Sequence, residues 1–144
     1  MTTLLRTVVL ALSLLLQFNA HAESKAIAEA DAQSIRSVIE AQLAAFSVDD
    51  AQTAFSFASE GIQQTFGTAE NFLAMVKATY PVVYRPATVL FLEPEQVAEE
   101  IMQGVEMADE DDRLWLAIYQ MQRQPDNTWR ISGCVLKSLP GSRS

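Results

Sequence analysis

The chain has 144 residues, 49% of them apolar, and 18 acidic against 10 basic side chains give it a formal charge of −8. That length suits one domain core and is too short for two. The acidic balance excludes a nucleic-acid backbone or an anionic membrane surface as the main partner, since both call for clustered Lys and Arg.

The first 22 residues read as a secretory leader. Arg6 supplies a positive start, Val8 to Leu16 form a short apolar run broken only by Ser13, and Ala20-His21-Ala22 offers small residues at an exit site. A retained membrane anchor would need about 20 apolar residues, and Gln17 and Asn19 end this run too soon. Cleavage near Ala22 is expected, with the periplasm or the outside of a bacterial cell as destination. It removes Arg6 and the only histidine, His21, leaving 9 basic and 18 acidic residues, a net of −9. The expected division is a leader over 1–22, a linker over 23–30, a single domain over 31–138 and a polar tail over 139–144.

Within the domain, Ile35, Val38, Ile39, Leu43 and Phe46 recur at helical spacing and predict a helix from about Ala32 to Phe46, with Asp31 as its N-cap. Asp49 or Asp50 caps a second, shorter helix carrying Ala54, Phe55 and Ala58. After Ser59-Glu60-Gly61, Ile62 and Phe66 form an i, i+4 pair, and Gly67 suits a left-handed helix end. Thr68 then caps Ala69 to about Ala78, with Phe72, Leu73 and Val76 on one side. Pro81 stops that helix by Tyr80, and residues 82–86 read as a linker.

Beyond Pro86 the apolar period falls from 3.6 to 2. Strands are expected over Thr88–Glu93, Val97–Met107, Arg113–Arg123 and Thr128–Leu136, joined by the turns 108–112 and 124–127. The fold class is therefore α+β: N-terminal helices on one face of a curved, four-stranded antiparallel meander. The third strand is apolar on both sides, with Leu114, Leu116 and Ile118 opposite Trp115, Ala117, Tyr119 and Met121. In the fourth, alternation puts Trp129, Ile131 and Val135 opposite Cys134 and Leu136. Helices can cover one side only, so the other asks for a second subunit or a curled, pocket-forming sheet. A homodimer through the sheet is the expectation.

Five stretches carry a family resemblance: Asp31 to Leu43, Phe55-Ser-Phe-Ala-Ser59, Phe72-Leu-Ala-Met-Val76, Tyr80-Pro-Val-Val-Tyr-Arg-Pro86 and Trp129-Arg-Ile-Ser-Gly-Cys-Val135. Together they resemble a bacterial family catalogued as domain of unknown function 4864. The order of elements is also similar to the nuclear-transport-factor-two-like, or cystatin-like, cone fold. That superfamily holds isomerases, dehydratases and cyclases beside non-catalytic binding and assembly domains, so the resemblance implies a shape and no reaction.

Without histidine, a general base would have to be a carboxylate of raised pKa, or a tyrosine could serve as donor. The ligand-pocket candidates are Tyr84 and Arg85 on the helix-to-sheet linker, and Trp115 and Tyr119 on one side of the third strand, flanked there by Arg113 and Arg123. An aromatic floor with an arginine suits a small apolar or anionic ligand. Competing with this, the rings could simply fill the core and the arginines pair with acids. Asp109 to Asp112 lack the spacing of a calcium loop, one cysteine serves zinc poorly, and no serine has a base partner. No cofactor or metal is expected, and no catalytic residue stands out. Cys134 reads as a buried strand residue, with Arg130 too distant to activate it. The sequence favours an exported, non-catalytic ligand-binding or assembly module acting as a dimer, with no membrane span after cleavage. The alternative is a small cavity isomerase or lyase.

Overall fold

The computed structural model describes residues 25–141; the expected leader lies outside them. The chain runs β1 (Lys25–Ala26), α1 (Glu29–Ser47), α2 (Ala51–Ser56), α3 (Glu60–Phe66), α4 (Ala69–Thr79), α5 (Pro81–Tyr84), β2 (Thr88–Phe91), β3 (Glu95–Val97), β4 (Glu100–Ala108), β5 (Leu114–Arg123) and β6 (Trp129–Ser138). Apart from the two-residue β1, helices come first and the strands of an antiparallel sheet second, as the change of apolar period implies.

Helix starts follow the side chains that can accept from otherwise unpaired N–H groups. Asp50 accepts from Thr53 N, Ser59 from Ile62 N and Thr68 from Asn71 N. Gly67 takes a φ of 75° at the end of α3, where a Cβ would be strained. The start of α1 differs from expectation. The helix begins at Glu29 behind Ala28, with no side-chain cap. Asp31 lies in its first turn instead, where its carboxylate sits 2.6 Å from Arg123 and favours the positive end of the helix.

Three further boundaries move. Lys25–Ala26 are not linker but a short strand paired with Gln96 and Glu95. Pro81–Tyr84 form a turn of helix rather than a linker, because proline at the first helical position forfeits no hydrogen bond. The expected second strand is two: Ala98, with φ 56°, turns the chain between β3 and β4. Both β2 and β3 lie along the same side of β4, so the sheet runs β1-β3-β4-β5-β6 with β2 also on β4. The last strand runs to Ser138, two residues past the expected Leu136.

The helices bury one side of this sheet. Ile35, Ile39 and Phe46 of α1, Ala54 of α2, Phe72, Leu73 and Val76 of α4, and Val82 and Val83 of α5 pack on Val105, Met107, Ala117, Tyr119, Met121, Trp129 and Ile131. Each large side chain removed from water here contributes roughly 1.5–3 kcal/mol. Gln42 lies within the apolar stripe of α1 and donates to Ala54 O at 3.1 Å, tying α1 to α2.

The sides of β6 correct the alternating pattern. Opposite Gln120 and Met121 the pairing skips from Gly133 to Ile131, which leaves Ser132 as an extra residue. Such a bulge reverses the order of sides beyond it. Trp129 and Ile131 face the helices before it, whereas Cys134 and Leu136 do so after it, paired with Tyr119 and Ala117. Val135 is turned out and 57% exposed. Arg130 and Cys134 consequently lie on opposite sides of the sheet.

Candidate functional site

A cavity of about 270 Å³ opens between the helices and the inner side of β5 and β6. Phe46, Phe72 and Val76 form its back wall, and Tyr119, Ile131 and Cys134 its floor. Ile62 and Phe66 of α3, Met75 of α4, and Tyr80 form the rim. It exists because α3 buries no residue fully, so its apolar pair shelters the sheet without filling the gap. Phe72 also meets Phe46, Phe55 and Phe66 at ring-centroid distances of 5.4–6.0 Å, which stiffens the wall.

Most polar groups around this cavity are already engaged. Gln42 donates to Ala54 O, Ser132 Oγ donates to Gln120 O at 3.2 Å, and Tyr80 OH donates to Cys134 O at 3.3 Å. The hydroxyl of Tyr119 is the exception. It is sealed from solvent and has no hydrogen-bond partner among the described residues. Burial, with a smaller contribution from Cys134, holds its phenol well above the ordinary range. Burial also pushes the Cys134 thiol up to about 12. Both groups stay neutral at physiological pH. No Asp or Glu lines the cavity.

A second groove, of about 650 Å³, lies between the α4–α5 corner and the β4–β5 hairpin. It brings together Tyr84, Arg85 and Trp115, three of the four residues singled out from the sequence; Tyr119 belongs to the other cavity. The expected single aromatic floor is therefore divided. Trp115 and Tyr119 do share one side of β5, but they are four residues, about 13 Å, apart along it.

The polar groups of this groove bind one another. Asp49, at a left-handed φ of 55°, accepts from Tyr84 OH at 2.5 Å and lies 3.2 Å from Lys77 and 3.5 Å from Arg85. The Tyr84 hydrogen bond first, then Lys77, hold its carboxyl below the usual aspartate range. Across the groove, Asp109 accepts from Trp115 Nε1, Arg113 Nε and the backbone N–H groups of Asp111 and Arg113. The Trp115 bond is the main cause of its lowered pKa. Arg113 is thus committed to the hairpin. Arg123 is committed elsewhere, to Asp31 and to the face of Trp129 at 4.5 Å. A wider cleft of about 710 Å³ lies at the β1 edge, lined by Asp31, Glu99, Glu100 and Arg123 among others.

Among the described residues no group of three His, Cys, Asp or Glu side chains could hold a metal ion, and no helix is long and apolar enough to cross a membrane.

The family of the chain follows from a match over most of its length: a model described as "Domain of unknown function (DUF4864)" covers residues 28–143. The chain belongs to the DUF4864 family. No curated protein matches it, and no solved structure does. The match begins at the residue before α1 and takes in α1 to α5, β2 to β6 and both walls of the 270 Å³ cavity. Within this DUF4864 domain, sequence reasoning named Tyr119 but not the cavity it floors. Phe66 was visible only as half of an i, i+4 pair, Met75 only within the Phe72–Val76 stretch, Tyr80 only as the residue before Pro81, and Asp49 only as a cap. The signal for Asp49 is local: an aspartate ahead of a second capping aspartate is free to take the left-handed conformation and point elsewhere.

Proposed function

We propose that this DUF4864 domain is exported and non-catalytic, holds a small apolar ligand between its helices and its sheet, and acts as a dimer through the outer side of the sheet. The observation that carries the ligand reading is the cavity floored by Tyr119. It is mostly apolar, open at one rim, and lined by no charged side chain. An isomerase or lyase would place a base where the substrate's proton lies, and the lining offers no carboxylate for that task. It also offers no cation, which favours a neutral ligand over an anionic one. A dry cavity of about 150 Å³ holds benzene, so 270 Å³ corresponds to about ten non-hydrogen atoms. Export rests on the leader pattern of residues 1–22. Dimerisation rests on the apolar outer side of the sheet, where Leu90, Leu92, Val97, Leu114 and Val135 are exposed.

The test is ligand-observed NMR with a set of neutral compounds, from toluene to acetophenone. Binding is expected in the micromolar to millimolar range, and Ile62→Trp, which fills the rim, is expected to remove it. No binding by any compound, or binding untouched by Ile62→Trp, overturns the ligand reading. Sequencing the N-terminus of protein recovered from the exporting cell should give Glu23; an intact Met1 overturns export.

A further inference from the structure

The outer side of the sheet carries a pattern that its exposure alone does not explain. Strand register places Glu106, Leu116 and Lys137 in one row across β4, β5 and β6, and Gly104, Ile118 and Val135 in the next. Each row has its largest apolar residue on the central strand. Glu106 and Lys137 sit two strands apart, about 9.6 Å, and form no ion pair with each other. At Gly104 the missing Cβ would lie 3.1 Å from Leu92 and 3.6 Å from Leu116, so those two side chains close over the glycine and form an apolar surface there. Val135, at the other end of its row, is a raised point.

We propose that a second copy of this chain covers the face through a two-fold axis running along β5, in the plane between the stacked sheets. The proposal rests on the dimer reading above and fixes its geometry. Rotation about that axis exchanges the β4 and β6 sides and leaves position along the strand unchanged. Leu116 then meets Leu116 and Ile118 meets Ile118. Glu106 of each copy lies opposite Lys137 of the other, and Val135 lies over Gly104, against the Leu92 and Leu116 side chains. Acid meets base in the first row, and apolar side chains meet in the second.

The competing in-plane axis, across the strands through the Leu116 row, fails on charge. It stacks Glu106 on Glu106 and Lys137 on Lys137, and juxtaposed like charges disfavour a pairing strongly. Face-to-face sheets twist against one another by about 30°, which spares contacts near the axis; both rows are central. Only β4, β5 and β6 overlap about this axis, so the covered face of three strands over nine residues spans about 430 Å² per copy, or about 860 Å² together, the size of a weak, transient interface. An axis that closes on itself also leaves no sticky surface for further growth.

A charge-swap series tests the geometry, read by sedimentation on protein purified from the exporting host. Lys137→Glu alone and Glu106→Lys alone should each raise the dimer dissociation constant by about tenfold or more, and the double variant should return it to near the wild-type value. Circular dichroism of each variant checks that the fold is intact. A wild-type protein of one-chain mass at micromolar concentration overturns both the dimer reading and this geometry, and leaves the face to a different partner or to solvent. A wild-type dimer indifferent to the single swaps, or not restored by the double, overturns the geometry while the dimer reading stands.

Discussion

Replacing Tyr119 by Phe should stabilise the domain. The ring is 1% exposed and lies between Gln103 and Cys134 on the inner side of the sheet, so its packing survives the change. What is lost is a buried hydroxyl that finds no partner among the described residues. In the unfolded chain that hydroxyl is hydrated, and leaving such a group unpaired costs about 1–3 kcal/mol. The adjoining cavity gives the ring room to relax, which argues for the lower end, about 1 kcal/mol. For a domain of this size that corresponds to a rise of roughly 4 °C in Tm. The assay is urea unfolding of ligand-free protein, wild type against Tyr119→Phe, with equal m-values as the check that both unfold alike. An equal or lower midpoint for the variant would refute the reasoning, because it would mean the hydroxyl is already satisfied, by water or a retained molecule.

Two further outcomes follow from ionisation. A thiol whose pKa burial moves from 9.0 to about 12 carries about 1,000-fold less thiolate at pH 8. Cys134 should therefore react with a disulfide reagent at least about 100-fold more slowly in the native protein than in urea, and similar rates would show the thiol to be open. Asp49 has a folded pKa below its unfolded one, owing first to Tyr84 and then to Lys77. Its contribution is therefore complete above the ordinary aspartate range and is lost as pH falls through the folded value. Asp49→Asn should flatten the acid limb of the urea-midpoint profile between about pH 5 and pH 2; an unchanged limb would remove Asp49 from the account.

Much of the architecture was legible because it is set by local rules. Helical caps at Asp50 and Thr68, the stop at Gly67 and the change of apolar period after Pro86 each act within a few residues. The start of α1 was not legible for the opposite reason. Asp31 has the chemistry of a cap, but its partner is Arg123, 92 positions away in the chain, and only the tertiary fold brings that charge near. Pro81 was read as a barrier, although proline is equally at home in a first helical turn. The site divided along the same line. Tyr84, Arg85 and Trp115 came together as a groove, but their polar atoms turned inward to Asp49 and Asp109. Tyr119 looked like one ring among several on β5. Its distinction is what surrounds it, and no spacing rule reports an unpaired hydroxyl.

The Ser132-Gly133 step links the cavity to the proposed interface. Strict alternation from Ile131 would put Val135 against the helices and expose Cys134 and Leu136. One inserted residue reverses this, so that Cys134 completes the cavity floor while Val135 and Lys137 join the outer rows. Glycine eases the position, since a Cβ at 133 would approach Gln120 Oε1 to 2.6 Å and displace the tip of a flexible side chain that donates to Glu100 at 2.7 Å. A small, flexible pair inside an otherwise β-branched and aromatic strand is a recognisable mark of a bulge. Its consequence is larger than its size: a single residue decides which side chains line the cavity and which join the outer face, so the two surfaces of β6 cannot be altered independently by shifting the strand.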